Sequence, residues 1–239
     1  VGSEMCIRDS FWNNHDQPRA LNRFTDVDNY RVAGAKMLAS SIHLNRGTPY
    51  IYMGEEIGML DPDFDSMEKY ADVESLNAYQ ELLLAGTSEK EAFKIVKAKS
   101  RDNSRTPMQW DSGEYSGFST VDPWLSLGNT ANEINVAKEL QEGSIFNYYQ
   151  RLIKLRKEYP IIAEGSYEAF LPDHPQIYSY IRSYEDRRLL VLNNFFPQET
   201  TIDLPDEFQK GEVLISNYDS DTKGQEITLK PYQSIAIYC

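Results

Sequence analysis

Cysteine is almost missing from this chain. Cys6 and Cys239 stand near opposite ends of 239 residues, which gives neither a disulfide framework nor metal-ligand spacing and fits a reducing, cytoplasmic setting. No apolar run approaches the ~18 residues of a membrane span. Histidine occurs three times, and His43, on or beside the apolar face of a helix, has no second ligand at helical spacing; it reads as a packing residue, and no metal site is expected. Basic residues are also short, 24 Lys and Arg against 37 Asp and Glu, for a net charge of −13. That balance excludes the basic face that nucleic acid or an anionic membrane would require, and leaves a small substrate open. With 41% apolar residues the chain can bury a core. Asp61, Asp63 and Asp65 alternate as a calcium loop might, but the following Gly and terminal Glu are wanting, so a solvated loop is expected. Val1 to Ser10 lack the basic-then-apolar order of a signal peptide and also the apolar strand expected before Phe11, and read as a vector-derived or sequence-assembly scar.

What is present begins with Phe11-Trp12-Asn13-Asn14-His15-Asp16-Gln17-Pro18-Arg19. Phe11 and Trp12 can close a buried strand and Pro18 cannot sit inside one, so Asp16 is expected at a strand's C-terminal mouth, where a carboxylate can stabilise developing positive charge. A helix-entry turn capped by Asp16 is the other reading of the same residues. Asp28 can cap a helix through Leu44, ended by Gly47, and Thr48 to Met53 reads as a short buried strand. Strand end, helix and strand form the repeating unit of a parallel barrel.

From Met59 to Leu127 an insertion replaces the usual short turn. Within it Ser88 and Glu91 have capping-box spacing for a helix through about Ala98, bracing the run Ser100-Arg101-Asp102-Asn103-Ser104-Arg105-Thr106-Pro107-Met108-Gln109-Trp110-Asp111. Met108 and Trp110 are expected to anchor the insertion. A helix over Ser144 to Glu158, with Ile145, Tyr149, Leu152 and Leu155 on one face, stops at Pro160. Beyond it lie six short alternating segments, Gln176–Arg182, Arg188–Asn193, Glu199–Leu204, Glu212–Ser216, Glu226–Leu229 and Ser234–Tyr238, which suggest an antiparallel β-sandwich. His174 there reads as a loop residue without a partner. The expected division is 11–159 and 160–239.

The run from Phe11 to Arg19, the run Gly47-Thr48-Pro49-Tyr50-Ile51-Tyr52-Met53-Gly54-Glu55-Glu56-Ile57-Gly58 and the run from Ser100 to Asp111, in that order, resemble the α-amylase family of glycoside hydrolases. Within it they are similar to the exo-acting α-glucosidase branch. The resemblance implies an α/β fold, the C-terminal part of a (β/α)8 TIM barrel followed by the β-sandwich. A whole barrel needs ~250 residues, so the chain is expected to be part of a longer protein. It implies a retaining glycosidase acting without a cofactor on a small α-glucoside. Two carboxyl groups serve as nucleophile and acid/base in such enzymes. The family carries both on earlier strands, and no segment of this chain matches either motif, so the chain alone is expected to be inactive. By the same resemblance Asp16 corresponds to the transition-state stabiliser and His15 to its neighbour. Arg101 corresponds to the clamp on the terminal glucose, paired with an early aspartate that has no counterpart here. Arg105 reads as scaffold. Of Glu55 and Glu56, one is expected to share a site and the other to form a salt bridge. The resemblance also implies trehalose 6-phosphate as substrate, because oligo-1,6-glucosidases carry Ile-Glu-Thr or Ile-Glu-Ser in place of the stretch Asp72-Val73-Glu74-Ser75-Leu76-Asn77, and Gly and Ala in place of Ser100 and Ser104. Oligo-1,6-glucosidase or dextran glucosidase activity, a sucrose isomerase-type transglycosidase, and a non-catalytic carbohydrate-binding or structural fragment are the alternatives.

Overall fold

The computed structural model describes residues 10–220 and 224–239, so Cys6 and most of the expected scar lie outside them. In chain order the helices are α1 Ala20–Phe24, α2 Val27–His43, α3 Val73–Leu84, α4 Glu89–Lys99, α5 Asp102–Arg105, α6 Val136–Glu142, α7 Ile145–Glu158 and α8 Pro160–Glu164. The strands are β1 Ser166–Phe170, β2 Ile177–Tyr184, β3 Arg187–Asn194, β4 Thr200–Asp203, β5 Glu212–Ser216, β6 Glu226–Leu229 and β7 Ser234–Tyr238. Contacts divide the chain into two compact units, one with Phe24–Tyr50 and Ser144–Cys239, the other with Trp12–Arg23 and Ile51–Gly143.

The first unit is built on a five-stranded antiparallel sheet, β1-β2-β3-β7-β5, and a two-stranded sheet, β4-β6. Period-2 alternation aims Ile181, Leu190, Leu192, Ile235 and Ile237 from the large sheet at Ile202, Phe208, Ile227 and Leu229, which closes a sandwich core. The opposite face of the large sheet buries Tyr180, Leu189, Val191 and Ala236 and meets α2 and α8. Both faces of β3 are thus covered, and Leu189 to Leu192 is a continuous apolar run. Strand β1 has four exposed residues of five, so no hydrophobic alternation announces it. His174 has partners after all: its Nδ1 accepts from the backbone N–H groups of Gln176 at 3.2 Å and Ile177 at 3.1 Å, fixing the entry to β2.

Helix α2 is capped by Asp26, whose carboxylate accepts from the N–H of Asn29 at 3.3 Å; Asp28 is the second residue of the first turn, where its charge suits the helix N-terminus. Gly34 is required there, because a Cβ would stand 2.8 Å from Thr25 Cγ2. The helix ends at His43, before Gly47, and Arg156 of α7 donates to its last carbonyl, His43 O, at 3.1 Å and to the loop carbonyls Asn45 O at 2.7 Å and Gly47 O. Pro160 follows the end of α7 and then opens α8 as its first residue, where its missing N–H has no partner to lose.

The expected strand over Thr48 to Met53 does not form. The pairing found there is a single parallel bridge between Ser10 and Pro49, and Tyr50, Ile51 and Met53 are exposed. Phe11 is likewise 50% exposed rather than buried. A parallel strand exists only through ladder partners on its edges, and the described residues supply one bridge.

His43 is wholly buried, with Nδ1 2.9 Å from Ala39 O and its ring edge-on to Tyr149. Burial pulls its pKa down to about 4, outweighing the Ala39 hydrogen bond. The unfolded chain takes up this proton near the usual ~6.5. The neutral ring's contribution is therefore complete above that pH and declines as pH falls toward 4. Denaturant unfolding of wild type and His43→Gln from pH 7 to 4 checks this: wild type should lose stability relative to the variant on acidification. A pH-independent difference contradicts it.

In the second unit the insertion is helical. Ser88 caps α4 by accepting from Glu91 N at 3.3 Å, as its spacing predicts, and Asp72 caps α3, for which no helix was expected. Met108 packs with Ile57, Met59 and Ile134. Trp110 does not share that anchoring role and is 49% exposed. Gln109 takes the buried place instead, donating from Nε2 to Thr130 Oγ1 at 3.3 Å.

Candidate functional site

All the residues singled out for chemistry fall in the second unit. Asn13 starts the segment: its Nδ2 donates to Glu55 at 2.6 Å and its Oδ1 accepts from Ala20 N at 2.7 Å, so one buried amide ties the His15-Asp16 turn to α1 and to Glu55. Glu55 is thereby occupied in support. Glu56 forms no salt bridge among the described residues, and burial pushes its carboxyl up.

Arg19 is almost entirely buried. Its backbone N–H donates to Asp61 at 2.8 Å, its Nη1 donates to Met53 O at 2.9 Å, and its guanidinium lies over the Tyr52 ring. Gly54, with φ of 87°, packs against Met59 and Arg19, since a Cβ there would clash with Met59 Sδ and stand 3.1 Å from Arg19 Nη1. Asp61 therefore departs from the expected solvated loop. Burial pushes its pKa up to about 6 against the pull of Arg19, while Asp63 and Asp65 stay exposed and pair with Lys97 and Lys69.

Asp16 lies in a turn, not at the end of a strand. Its side chain is 51% exposed, and each oxygen has a cationic or imidazole neighbour: Oδ2 is 3.2 Å from His15 Nε2, Oδ1 accepts from Arg105 Nη2 at 3.2 Å, and Arg101 Nη1 is 4.0 Å away. Arg105 is scaffold for this turn, as its reading in the sequence has it. Its Nε also donates to His15 O at 2.8 Å, so it holds the His15-Asp16 turn by backbone and side chain together. The turn is fixed from a third side by Ser104, whose hydroxyl donates to Gln17 O, and Tyr52 OH donates to Ser104 O at 3.1 Å.

Arg101 has a carboxylate partner within this chain. Asp72, with 4% of its side chain exposed, accepts from Arg101 Nη2 at 2.5 Å, and Glu74 stands 3.2 Å from the same nitrogen on the solvent side. Burial raises the Asp72 carboxyl, but hydrogen bonds from Arg101 and Ser75 hold it below the usual carboxylate range. Asp72 appeared in the sequence only as a mark of substrate type. Its position before Val73-Glu74-Ser75, with an acidic residue in the first helical turn, was the available signal of a cap.

The structure thus brings His15, Asp16, Arg101 and Arg105 together on an open face, with two planar guanidinium groups beside one half-exposed carboxylate. Such a surface offers charge-assisted donors and acceptors to the hydroxyls of a small polar ligand. Residues 2–165 match the α-amylase catalytic domain model, and residues 177–236 match the C-terminal domain of the α-amylase SusG. The chain belongs to the α-amylase family. It carries sequence of that family's catalytic domain followed by a C-terminal domain. It is 46% identical over 230 residues to trehalose-6-phosphate hydrolase of Bacillus subtilis (strain 168), a match covering 94% of this chain and 41% of the relative. It is equally 46% identical over 229 residues to oligo-1,6-glucosidase of Halalkalibacterium halodurans, with the same coverage. The crystal structure of Bacillus licheniformis trehalose-6-phosphate hydrolase superposes with a TM-score of 0.93 at 47% identity, covering 97% of this chain and 43% of that one. The chain therefore spans about two fifths of the length of the relatives it matches.

Proposed function

We propose that the full-length protein is a retaining α-glucosidase, located in the cytoplasm, which removes glucose from the non-reducing end of a short α-glucoside. Membership of the α-amylase family supports the reaction class, and the cluster around Asp16 carries the reading. In this reading Asp16 acts electrostatically: its carboxylate faces the positive charge that develops on the glucosyl ring in an oxocarbenium-like transition state. Arg101 clamps a hydroxyl of the terminal glucose, and His15, whose Nε2 is 3.2 Å from Asp16, shares the grip on the sugar.

The substrate we propose is trehalose 6-phosphate, hydrolysed with one water to glucose and glucose 6-phosphate. The Asp72 to Asn77 stretch and the serines at 100 and 104 favour it over an α-1,6-linked oligosaccharide. Both serines have tasks in the site: Ser104 binds Gln17 O, and Ser100 Oγ is 2.8 Å from Ser75 Oγ beside Asp72. The test is kcat/KM of the full-length protein on trehalose 6-phosphate, trehalose and isomaltose, with products counted. Preference for trehalose 6-phosphate, releasing equal glucose and glucose 6-phosphate, is expected. Preference for isomaltose makes the protein an oligo-1,6-glucosidase, and an excess of transferred over hydrolysed glucose makes it a transglycosidase.

A further inference from the structure

An arginine fork that is to meet a sugar in one orientation has to be held before the sugar arrives. Of the two Asp72 oxygens Arg101 donates to one, Oδ1, from Nε at 3.1 Å and from Nη2 at 2.5 Å, and the exposed Glu74 stands 3.2 Å from the same Nη2. The other oxygen, Oδ2, accepts from the backbone N–H of Ser75 at 3.2 Å and from its hydroxyl at 2.9 Å, which is the N-cap of α3. Asp72 is itself fixed. Asp102, adjacent to Arg101 and wholly buried, accepts from the N–H groups of Ala71 and Asp72, both at 2.8 Å. Ser100, on the other side of Arg101, stands 2.8 Å from Ser75 Oγ and accepts from Asp102 N at 3.3 Å.

A helix cap needs no arginine, and a solvent-exposed ion pair needs no buried carboxylate. Here one carboxylate divides its two oxygens between both tasks, while the far nitrogen of the same guanidinium, Nη1, comes within 4.0 Å of Asp16. We propose that Asp72 is the positioning residue for Arg101, setting from the N-terminus of α3 the orientation in which the guanidinium meets the terminal sugar. The sugar's part in this rests on the α-glucosidase reading; the Asp72 to Arg101 geometry does not.

Asp72→Asn and Asp72→Ser separate the two tasks, because Asn and Ser are both good N-caps and neither carries a charge. The first readout is binding-free and is made on the full-length protein: hydrogen exchange at Arg101 Nε–H, followed by 15N NMR, should be about tenfold faster in both variants than in wild type. Unchanged exchange overturns the proposal. The second uses the same protein. Both variants should lower kcat/KM by roughly tenfold through KM, the signature of lost binding common to ground and transition states, whereas damage confined to folding lowers kcat and spares KM. Adding Arg101→Lys to Asp72→Asn should cost little more than Arg101→Lys alone, since the two residues act as a unit. An active protein with unchanged KM, or with additive losses, overturns the proposal. If wild type turns over no α-glucoside, the functional reading fails, and the exchange rate alone decides the positioning.

Discussion

Replacing Asp16 with asparagine in the full-length protein should lower kcat by about 10²–10³, the usual consequence of removing one preorganised electrostatic partner from a developing charge. The amide is nearly isosteric, and its oxygen can still accept from Arg105 Nη2, now 3.2 Å from Asp16 Oδ1. What disappears is the negative charge. The turn itself should survive, since Arg105 also donates to His15 O and Asn13 ties the segment to Glu55 and Ala20. Circular dichroism and the unfolding midpoint of the variant should therefore match wild type. Retention of more than about a tenth of wild-type kcat, with the fold intact, would remove Asp16 from the reaction.

Arg101→Lys should reduce kcat/KM by roughly 10- to 150-fold even though the charge is kept, the range expected when a charge-assisted hydrogen bond to substrate is lost. In the structure the guanidinium joins Asp72 at Nε and Nη2, Glu74 at Nη2, and turns Nη1 toward Asp16. Lysine is a point charge on a flexible stem; it can satisfy one of these acceptors and cannot present a planar fork to a carboxylate and a sugar hydroxyl together. The loss should shrink on a substrate lacking the 4-hydroxyl of its terminal glucose, which never makes the contact. Equal losses on normal and 4-deoxy substrates would make Arg101 a loop support alone.

Features set by neighbours in sequence were legible without the structure. The Ser88 cap of α4 and the single apolar face of α7 are written within one or two turns, and both appear as expected. The antiparallel sandwich was legible for the same reason, through alternation, except at β1, whose exposed residues carry no pattern. Pairings across long separations were not. Asp72 and Arg101 stand 29 residues apart, and Arg105 and His15 stand 90 apart. Arg105 read as scaffold, which its hydrogen bond to His15 O fits, but the segment it holds was not legible, and neither was the Asp72 partner of Arg101. The three candidates named from the sequence, His15, Asp16 and Arg101, came from motifs that resemblance made recognisable, and the structure brings them together. The strand expected over Thr48 to Met53 failed because composition marks a segment suited to a parallel ladder, while a ladder also needs partners that composition does not supply.

The most direct measurement is a crystal structure of the full-length protein with glucose bound. The predicted result places the sugar against the open face of the turn, with hydroxyls at hydrogen-bond distance, ~2.7–3.0 Å, from the Asp16 carboxylate and the Arg101 guanidinium, and His15 beside them. Glucose seated elsewhere, with Asp16 and Arg101 paired only to protein groups, would contradict the assignment of this cluster as the sugar site.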